Sequence, residues 1–397
     1  MIGGRIEIGG TLRLLSPLHV GTGGAVPAVA GAPQVAAVAR DHVGRPYLPG
    51  STLKGVLRRL WQDEDGVFGP REIGKADDAV SGAVIFRNAW MTGSPDDPTF
   101  AAAHVRIDGA EGVAAPGLLF QDEMVRPGTS FGLRLAVMIG HKDVLDRVRT
   151  LLAQLTVAEG VAFGGGTRQG DGRLKLDPMI TLTEVPGGGS TTIRLDEPAA
   201  VRADWTLRLH SDVPFLIHDP ARSEAGGEGR KNVLRGLKAF DGTGERLTGS
   251  SLLGALRAAF AAHVARVAPD RAQAFIDTLF GTARGRGRLA VRSIAAETPK
   301  GRDSNGVLKS TTSVRIDRFS GAPIDNALFA TEGHFGTTFV VDLVKADRTG
   351  IPAADAAAAD AVFQVFLGEL THDVWGGLML GHVTGRGYGW FSVTGVK

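Results

Sequence analysis

The 397-residue chain contains no cysteine and only two tyrosines, and its formal charge at pH 7 is only +2. Without cysteine the chain cannot form a disulfide or a thiolate metal site. No apolar run approaches the roughly 18 residues that a membrane-spanning helix requires. The first five residues also lack the basic and then apolar pattern of a signal peptide. These absences predict a soluble cytoplasmic protein with no membrane partner.

Several signatures of cofactor and metal chemistry are also missing. No Gly-Lys-Ser or Gly-Lys-Thr sequence occurs, which excludes a Walker phosphate-binding loop. Residues 285–290 match a dinucleotide-binding fingerprint only weakly and lack its acidic partner. The ten histidines include no pair four residues apart, which is the spacing of a zinc-binding helix. We therefore predict no resident metal site and no nucleotide cofactor.

The basic residues are mostly arginine. Of the 44 basic side chains, 34 are arginine and 10 are lysine. Arginine presents a planar fork of donors that fits phosphate and stacks on bases, which favours a nucleic-acid partner. A GC-rich genome also enriches arginine, alanine and glycine, so this composition alone leaves both interpretations open. The 56 glycines are about twice the usual share of roughly 7%, and they predict many turns and loops.

The chain carries nearly the same sequence twice. Residues 48–58 return as residues 247–257, an offset of 199. One short match is uninformative, but five collinear matches indicate a tandem duplication. The other four pairs are residues 12–16 with 207–211, 67–69 with 279–281, 106–108 with 315–317, and 128–131 with 336–339.

Each half shows the same order of secondary structure. Alternating apolar and polar residues predict an initial strand, and an apolar stripe predicts a helix that Ser51 caps in the first half and Ser250 in the second. Further strands, a second helix and a Gly-rich turn into a final strand follow. This order predicts an α+β protein of two tandem ferredoxin-like (RRM-like) domains with long loops. We assign residues 1–190 and 191–397 to them, joined by a linker at residues 185–192.

Two repeated features suit a phosphate ligand. The Gly-rich segments at residues 163–172 and 380–389 each contain an arginine, and glycine lets main-chain N–H groups approach an anion closely. The helix after the Pro-Gly-Ser turn carries Lys54 and Arg58 four residues apart near its positive end. In the second half Leu253 replaces the lysine and Arg257 remains. A flexible hairpin and a solvated helix face would produce the same patterns, so both interpretations stay open.

The same motifs resemble the RAMP superfamily. A Gly-Thr-Gly sequence at residues 21–23, the Pro-Gly-Ser-Thr-Leu-Lys-Gly-Val-Leu-Arg string at residues 49–58 and Val-Phe-Gly at residues 67–69 follow in that family's order. The second half repeats them in part. The resemblance covers nearly the whole chain and points to the repeating backbone subunit of type III CRISPR effector complexes. A fused double subunit, as known in some type III-D systems, fits both halves.

This resemblance implies a guide RNA-binding scaffold that presents its guide to target RNA within an antiviral ribonucleoprotein complex of several subunits. It implies that the basic helix and Gly-rich loop hold the guide, and that a thumb hairpin separates guide from target. Apolar side chains suit such a wedge because they cover unstacked bases. The implied RNA-binding residues are Lys54, Arg58, Arg257, Gly165, Gly166, Thr167, Arg168, Gly385, Arg386, Gly387 and Tyr388. The implied thumbs span about residues 105–125 and 314–334, with Leu119, Phe120, Leu328 and Phe329 as apolar tips.

Cleaving members of that family carry an aspartate between the Gly-Thr-Gly and Pro-Gly-Ser landmarks. At the corresponding place the first half has residues 33–35 without a carboxylate, and Asp41 lies too close to the helix. The second half has Arg235 there, flanked by Asp219 and Asp241. These two aspartates are weak catalytic candidates, and Mg²⁺ is the implied cofactor if they cleave RNA. Two alternatives to the scaffold thus stay open: a metal-dependent target-RNA endonuclease subunit, and a duplicated small-molecule-binding domain unrelated to RNA.

Overall fold

The computed structural model describes residues 4–26, 35–61, 65–69, 82–107, 114–138, 142–225, 232–282, 285–298, 305–346 and 350–396. Within them the protein is α+β, with most of its regular structure in strands. It forms two compact units, residues 1–167 with 171–201 and residues 168–170 with 202–397. The prediction of a linker at residues 185–192 is wrong, because these residues close a β-hairpin within the first unit.

The first unit is built mainly from antiparallel strands. Its described helices are α1 (Gly50–Leu60), α2 (Asp65–Phe68) and α3 (Lys142–Ala153). Its described strands are β1 (Arg5–Leu14), β2 (Gly21–Val26), β3 (Val35–Val38), β4 (Tyr47–Leu48), β5 (Val84–Phe86), β6 (Ala89–Gly93), β7 (Thr99–Ile107), β8 (Ala114–Val125), β9 (Ser130–Met138), β10 (Val161–Ala162), β11 (Arg173–Leu176), β12 (Met179–Val185) and β13 (Ser190–Arg194).

One antiparallel sheet organises the first unit. β1 pairs along its length with β9, and its other edge pairs with β11 and β12. β9 also pairs with β5 and β6. In β1 and β9 alternate side chains are buried, as period-2 strands require, and they share one core with α1 and α3. The predicted apolar stripe of α1 is confirmed, since Leu53 and Leu57 are fully buried.

The second unit repeats this arrangement. β14 pairs with β19 and β21, and β19 also pairs with β16, all antiparallel. α4, α5 and α6 pack with the buried faces of these strands in one core. The described elements are β14 (Trp205–Ser211), β15 (Asn232–Leu234), α4 (Gly249–Val267), α5 (Ala272–Phe280), β16 (Leu289–Ala296), β17 (Val307–Ile316), β18 (Pro323–Phe335), β19 (Thr337–Lys345), α6 (Ala353–Leu370), β20 (Leu378–Met379) and β21 (Trp390–Val396).

The helices after the two Pro-Gly-Ser and Thr-Gly-Ser turns are equivalent, but the predicted caps are wrong. Ser51 and Ser250 lie inside α1 and α4, one residue after each helix begins. In α4 the cap is Thr248, whose hydroxyl accepts the Ser251 N–H at 3.3 Å. In α1 the first helical amide, that of Gly50, donates to the Asn88 side-chain oxygen at 2.9 Å. A cap from a residue this distant in sequence gives no local signal.

No helix in the described part of the chain is long and apolar enough to cross a membrane. The sequence pattern predicts the second helix of the second half over about residues 353–370, and α6 agrees with this range at both ends. No helix was predicted before the second Phe-Gly landmark, where α5 lies.

We predict opposite stability effects for two glycines of α1. A Cβ at Gly50 would lie 2.3 Å from the Phe86 carbonyl oxygen, so Gly50→Ala should lower the unfolding free energy by about 1–3 kcal/mol. A Cβ at Gly55 would meet nothing within 4 Å, so Gly55→Ala should raise it by about 1 kcal/mol through helix propensity. Calorimetric unfolding of both variants measures the two shifts. Equal shifts would contradict this packing of the α1 start.

Candidate nucleic-acid interface

The Gly-rich loop of each unit closes onto the segment that follows its first strand. In the first unit the Gly172 N–H donates to the Pro17 carbonyl at 2.6 Å. Gly172 has φ of 74°, and a Cβ there would lie 1.9 Å from the Phe163 carbonyl oxygen. Only glycine fits without a shift of the main chain. The equivalent residues of the second unit are Gly389, Pro214 and Leu380, with a φ of 74° at Gly389 and distances of 2.9 and 1.9 Å.

The predicted contact residues of the first loop differ in what they expose. Gly165 and Gly166 are exposed, and Thr167 is half-buried at the start of a short 3-10 turn. Arg168 belongs to the second unit, where its guanidinium donates to the main-chain carbonyls of Phe280 at 3.1 Å and Leu289 at 2.8 Å. The loop thus presents main-chain groups at its surface, whereas the Arg168 guanidinium already donates to main-chain carbonyls.

The second loop is anchored by two predicted residues. Gly385 and Gly387 are exposed, whereas the Arg386 guanidinium lies over the Phe329 ring, 4.4 Å from its centroid. Tyr388 is only 7% exposed, so its ring lies inside the unit and not at the surface that base stacking requires. Val383 adopts φ of 56°, a left-handed conformation that is rare for a β-branched side chain.

The two predicted arginines of the basic helices make matching contacts inside the chain. The Arg58 guanidinium donates to the Gly69 carbonyl at 2.6 Å, and Arg257 donates to the Gly281 carbonyl at 3.0 Å. Gly69 and Gly281 are the glycines of the repeated Phe-Gly motif. Each arginine therefore ties the helix to that motif, a fold-stabilising role that the charge pattern did not reveal.

The side of α1 around Lys54 is more accessible. Lys54 is half-buried and has no hydrogen bond or ion pair to any residue that the structure describes. Gly55 follows it and is exposed with open space around its Cα, as is Gly254 of α4. An exposed glycine in a helix interior costs about 1 kcal/mol relative to alanine, so packing does not explain either residue.

The predicted thumb tips are wrong in position. In the second unit β17 and β18 pair so that Leu328 lies opposite Val314 and Phe329 opposite Ser313, within the strands. The turn of the hairpin is residues 317–322, and its tip is the fully exposed Phe319. The Asp317 carboxylate accepts the N–H groups of Phe319 and Ser320 at 3.0 and 2.8 Å, which shapes the turn and, with the Ser320 hydroxyl, lowers the pKa of Asp317.

The first unit has a similar hairpin of β7 and β8, whose connection lies outside the described residues. Phe120 lies in β8 opposite His104, is 52% exposed, and stacks on the His104 ring at 5.0 Å. Leu119 is also in β8, opposite Val105, and its side chain lies outside the described residues. Burial lowers the pKa of His104. Both residues predicted as a tip are therefore strand residues.

The candidate carboxylates are engaged in local turns. Asp219 accepts the Ala221 N–H at 3.0 Å, and Asp241 accepts the Thr243 N–H at 2.9 Å and its hydroxyl at 2.6 Å. These Thr243 donors hold the pKa of Asp241 below its ordinary value. Arg235, at the place expected for a catalytic aspartate, forms ion pairs with Glu224 at 2.6 Å and Glu332 at 3.2 Å.

Asp41 of the first unit is also a turn residue. It accepts the main-chain N–H groups of Val43 and Arg45 at 3.0 and 2.8 Å and pairs with the Arg45 guanidinium at 2.9 Å. Burial alone raises the pKa of Asp41, but these donors hold it below its ordinary value. Of the predicted gap at residues 33–35, Pro33 and Gln34 lie outside the described residues. In the described part of the chain no three histidine or acidic side chains come together as a metal site, so the residues present do not form a resident Mg²⁺ cage.

Histidines that the sequence analysis left unassigned gather beside the second loop. The rings of His218 and His382 stack 5.2 Å apart, and burial lowers the pKa of both, so they are mainly neutral near pH 7. Nearby, the buried Glu245 accepts from His334 of β18 at 3.0 Å and from the Ile217 N–H at 3.3 Å. Burial raises the pKa of Glu245. The pair ties the hairpin to the loop before α4.

The sequence profile of the RAMP superfamily matches residues 11–175 and residues 208–392, one match in each half. The chain therefore belongs to the RAMP superfamily. It is similar to the CRISPR system Cms endoribonuclease Csm3 of Mycobacterium tuberculosis, with 26% identity over 208 residues, 44% of this chain and 87% of that protein. It is also similar to the protein of the same name from Methanocaldococcus jannaschii, with 22% identity over 199 residues, 44% of this chain and 79% of that protein.

We predict that the two matched arginines act on stability. Arg58→Ala and Arg257→Ala should each lower the unfolding free energy by about 1–2 kcal/mol, because each leaves a Phe-Gly carbonyl without its charged donor. Lys54→Ala is the matched control and should leave the unfolding temperature unchanged. Differential scanning calorimetry compares the three variants. If both arginine variants unfold at the temperature of the parent, the stability role is contradicted and Arg58 and Arg257 stay candidates for RNA binding.

Proposed function

We propose that this RAMP protein is a guide RNA-binding backbone subunit of a type III CRISPR effector complex, with target RNA and other subunits as partners. The observation that carries the proposal is the duplicated interface: each unit has a Gly-rich loop closed by the same main-chain contacts, with exposed glycines at its surface. The names of the two relatives support the assignment to a CRISPR system. Less than half of this chain covers most of each relative, 87% of one and 79% of the other. This ratio supports a fused double subunit of the type III-D kind.

The strand order supports two ferredoxin-like domains. Counting only the strands that alternate with the helices, the second unit runs β14, α4, β16, β19, α6, β21, and its sheet order is β16, β19, β14, β21. That is the order second, third, first, fourth of a split βαβ pair. The first unit has the same order in β5, β9, β1 and β11.

In this proposal each unit contacts the guide by itself. The first unit does so through Lys54 and Gly55 of α1 and through Gly165, Gly166 and Thr167 of its loop, and the second through Gly385, Arg386 and Gly387 of its loop. Arg58, Arg257, Arg168 and Tyr388 serve the fold, because their side chains are engaged or buried within the chain. The hairpins serve as thumbs, with Phe319 at one tip and Phe120, Leu328 and Phe329 along their strands.

We predict a distinct signature for the two residues on α1. Lys54→Ala should weaken binding of any guide sequence and lower the slope of log K against log salt by about one unit, because one phosphate contact is lost. Gly55→Ala should weaken guide binding while raising the unfolding temperature, because its added methyl group blocks close approach but improves the helix. Salt titrations by filter binding measure both effects. A Gly55→Ala protein that binds guide RNA like the parent would remove α1 from the interface.

A second candidate function is metal-dependent cleavage of target RNA, which the endoribonuclease names of both relatives favour. Mg²⁺ commonly binds through one or two carboxylates together with substrate phosphates, so Asp219 or Asp241 alone would suffice once RNA is bound. Their side chains would have to hold the ion with the phosphate, since the described residues supply no cage.

We predict that any cut assigned to this subunit depends on the second unit. The assembled complex, given guide-matched RNA and Mg²⁺, is compared with its Asp219→Ala, Asp241→Ala and Asp41→Ala forms. Loss of a cut with Asp219→Ala or Asp241→Ala supports the nuclease. Loss only with Asp41→Ala contradicts this assignment, and a parent complex that cuts nothing at this subunit leaves the scaffold as its function.

A further inference from the structure

The sheet of the first unit has one face covered by helices and one face open. On the edge strand β4 and its inner neighbour β6, Leu48 and Ala89 are fully buried in the core. Their neighbours Tyr47 and Trp90 lie on the opposite face, because side chains alternate along a strand. Trp90 is 39% exposed there, and Ile85 of β5 is 46% exposed. A large aromatic side chain thus stands at the surface of the sheet with no helix over it.

The aromatic pair joins β4 and β6 on this face. Tyr47 and Trp90 are direct cross-strand partners, with ring centroids 4.9 Å apart and planes tilted by 38°. The next residues in the same row are small: Trp90 pairs with Gly132, and Gly132 pairs with Thr11. The indole therefore has the tyrosine ring on one side, and on the other Gly132, where the Thr92 methyl group lies 3.2 Å from the position of a Cβ. An exposed aromatic ring of this kind is a platform for a nucleobase.

Cations occupy the rows on either side of the aromatic pair. Arg134 of β9 lies opposite Gly9, and Arg13 of β1 lies opposite Lys175 of β11. Each row is two residues from the aromatic row, which is about 7 Å along a strand. Neither Arg134 nor Lys175 has a hydrogen bond from its side chain, or an ion pair, to any residue that the structure describes. These charges are available to a ligand.

The acidic side chains on this face are few and engaged. Glu7 pairs with Arg5 and, at 2.8 Å, with Arg87. Asp177 is 4.0 Å from Arg13, and both side chains are largely exposed, so this contact is weak. The face keeps a positive surplus around the tryptophan. Phosphates beside a stacked base have the complementary charge.

The open face of the second sheet differs in this respect. There Arg208 pairs with Glu297 at 2.7 Å and Arg292 pairs with Asp342 at 2.9 Å, so both arginines already have carboxylate partners. Both units have the same sheet, but among the described residues only the open face of the first sheet carries unpaired cations. Fold maintenance does not explain this difference.

We propose that the open face of the first sheet is a second binding site for single-stranded RNA, in which Trp90 stacks on a base and Arg134, Arg13 and Lys175 contact phosphates. This site is separate from the guide-binding surface, because none of these side chains belongs to α1, a Gly-rich loop or a hairpin. It takes unpaired RNA such as a segment that leaves the guide or the target, since a duplex buries the base faces that the indole needs.

The test measures binding of a labelled oligouridylate to the full chain carrying Lys54→Ala, which weakens the guide surface independently. In this background Trp90→Ala should weaken binding about 5- to 100-fold, the loss of one stacked base. Trp90→Phe should restore most of it. Arg134→Ala and Lys175→Ala should each lower the salt slope by about 0.7, the single-strand value. Arg208→Ala is the matched control on the second sheet and should change nothing.

Each contrary outcome has a defined meaning. Equal binding by the parent and Trp90→Ala, with Arg134→Ala also silent, overturns the site. If Trp90→Ala unfolds, the exposed Arg134→Ala and Lys175→Ala variants still decide through the salt slope. Equal affinity for double-stranded RNA overturns the stacking assignment. Unchanged RNA binding together with loss of a neighbouring subunit from the complex shows a protein interface instead. These outcomes decide the proposal even if the chain does not bind guide RNA, because the oligouridylate probe is not a guide.

Discussion

The structure depends on the close approach of two main-chain segments in each unit, which the missing side chains of Gly172 and Gly389 permit. The segment after the first strand bonds on one side to the Gly-rich loop. On its other side it bonds to the hairpin: Leu18 exchanges main-chain hydrogen bonds with Val125 at 3.1 and 2.8 Å, and Phe215 does so with His334 at 2.9 and 3.0 Å. One short segment thus bonds to both the Gly-rich loop and the hairpin within its unit. A methyl group at either glycine would separate them.

The arginines of the repeated string illustrate how a charged side chain can serve the fold. Arg58 and Arg257 are the residues that a charge pattern assigns first to phosphate, yet each donates to the carbonyl of its own Phe-Gly motif. The helix and that motif then move as one piece. Lys54 of α1 makes no such bond to a described residue, and the second unit has Leu253 at that place. The two units therefore offer different charge to a ligand along otherwise equivalent helices.

The duplication, the core strands and the long helices follow from the sequence because their signals are local and periodic. β1, β9 and α6 form where the predicted order of elements puts them, and the stripe of α1 is buried as expected. The caps, the hairpin tip and the linker could not be derived in this way. Asn88 caps α1 from a distant position, Phe319 becomes the tip only through the pairing of β17 with β18, and a Pro- and Gly-rich turn reads the same in a hairpin as in a linker. Within the candidate site, the sequence predicted the loops and Lys54. Gly55, the His218–His382 pair and the open face of the sheet could be identified only from the folded structure.

Val383 distinguishes the two Gly-rich loops in their dynamics. It occupies the left-handed turn that Gly166 occupies in the first unit, with φ of 56° and 66°. For a residue with a Cβ that conformation costs roughly 1–2 kcal/mol, and the cost disappears when the turn opens. At otherwise equal contacts, the open form of the second loop is therefore roughly 5- to 30-fold more populated than that of the first.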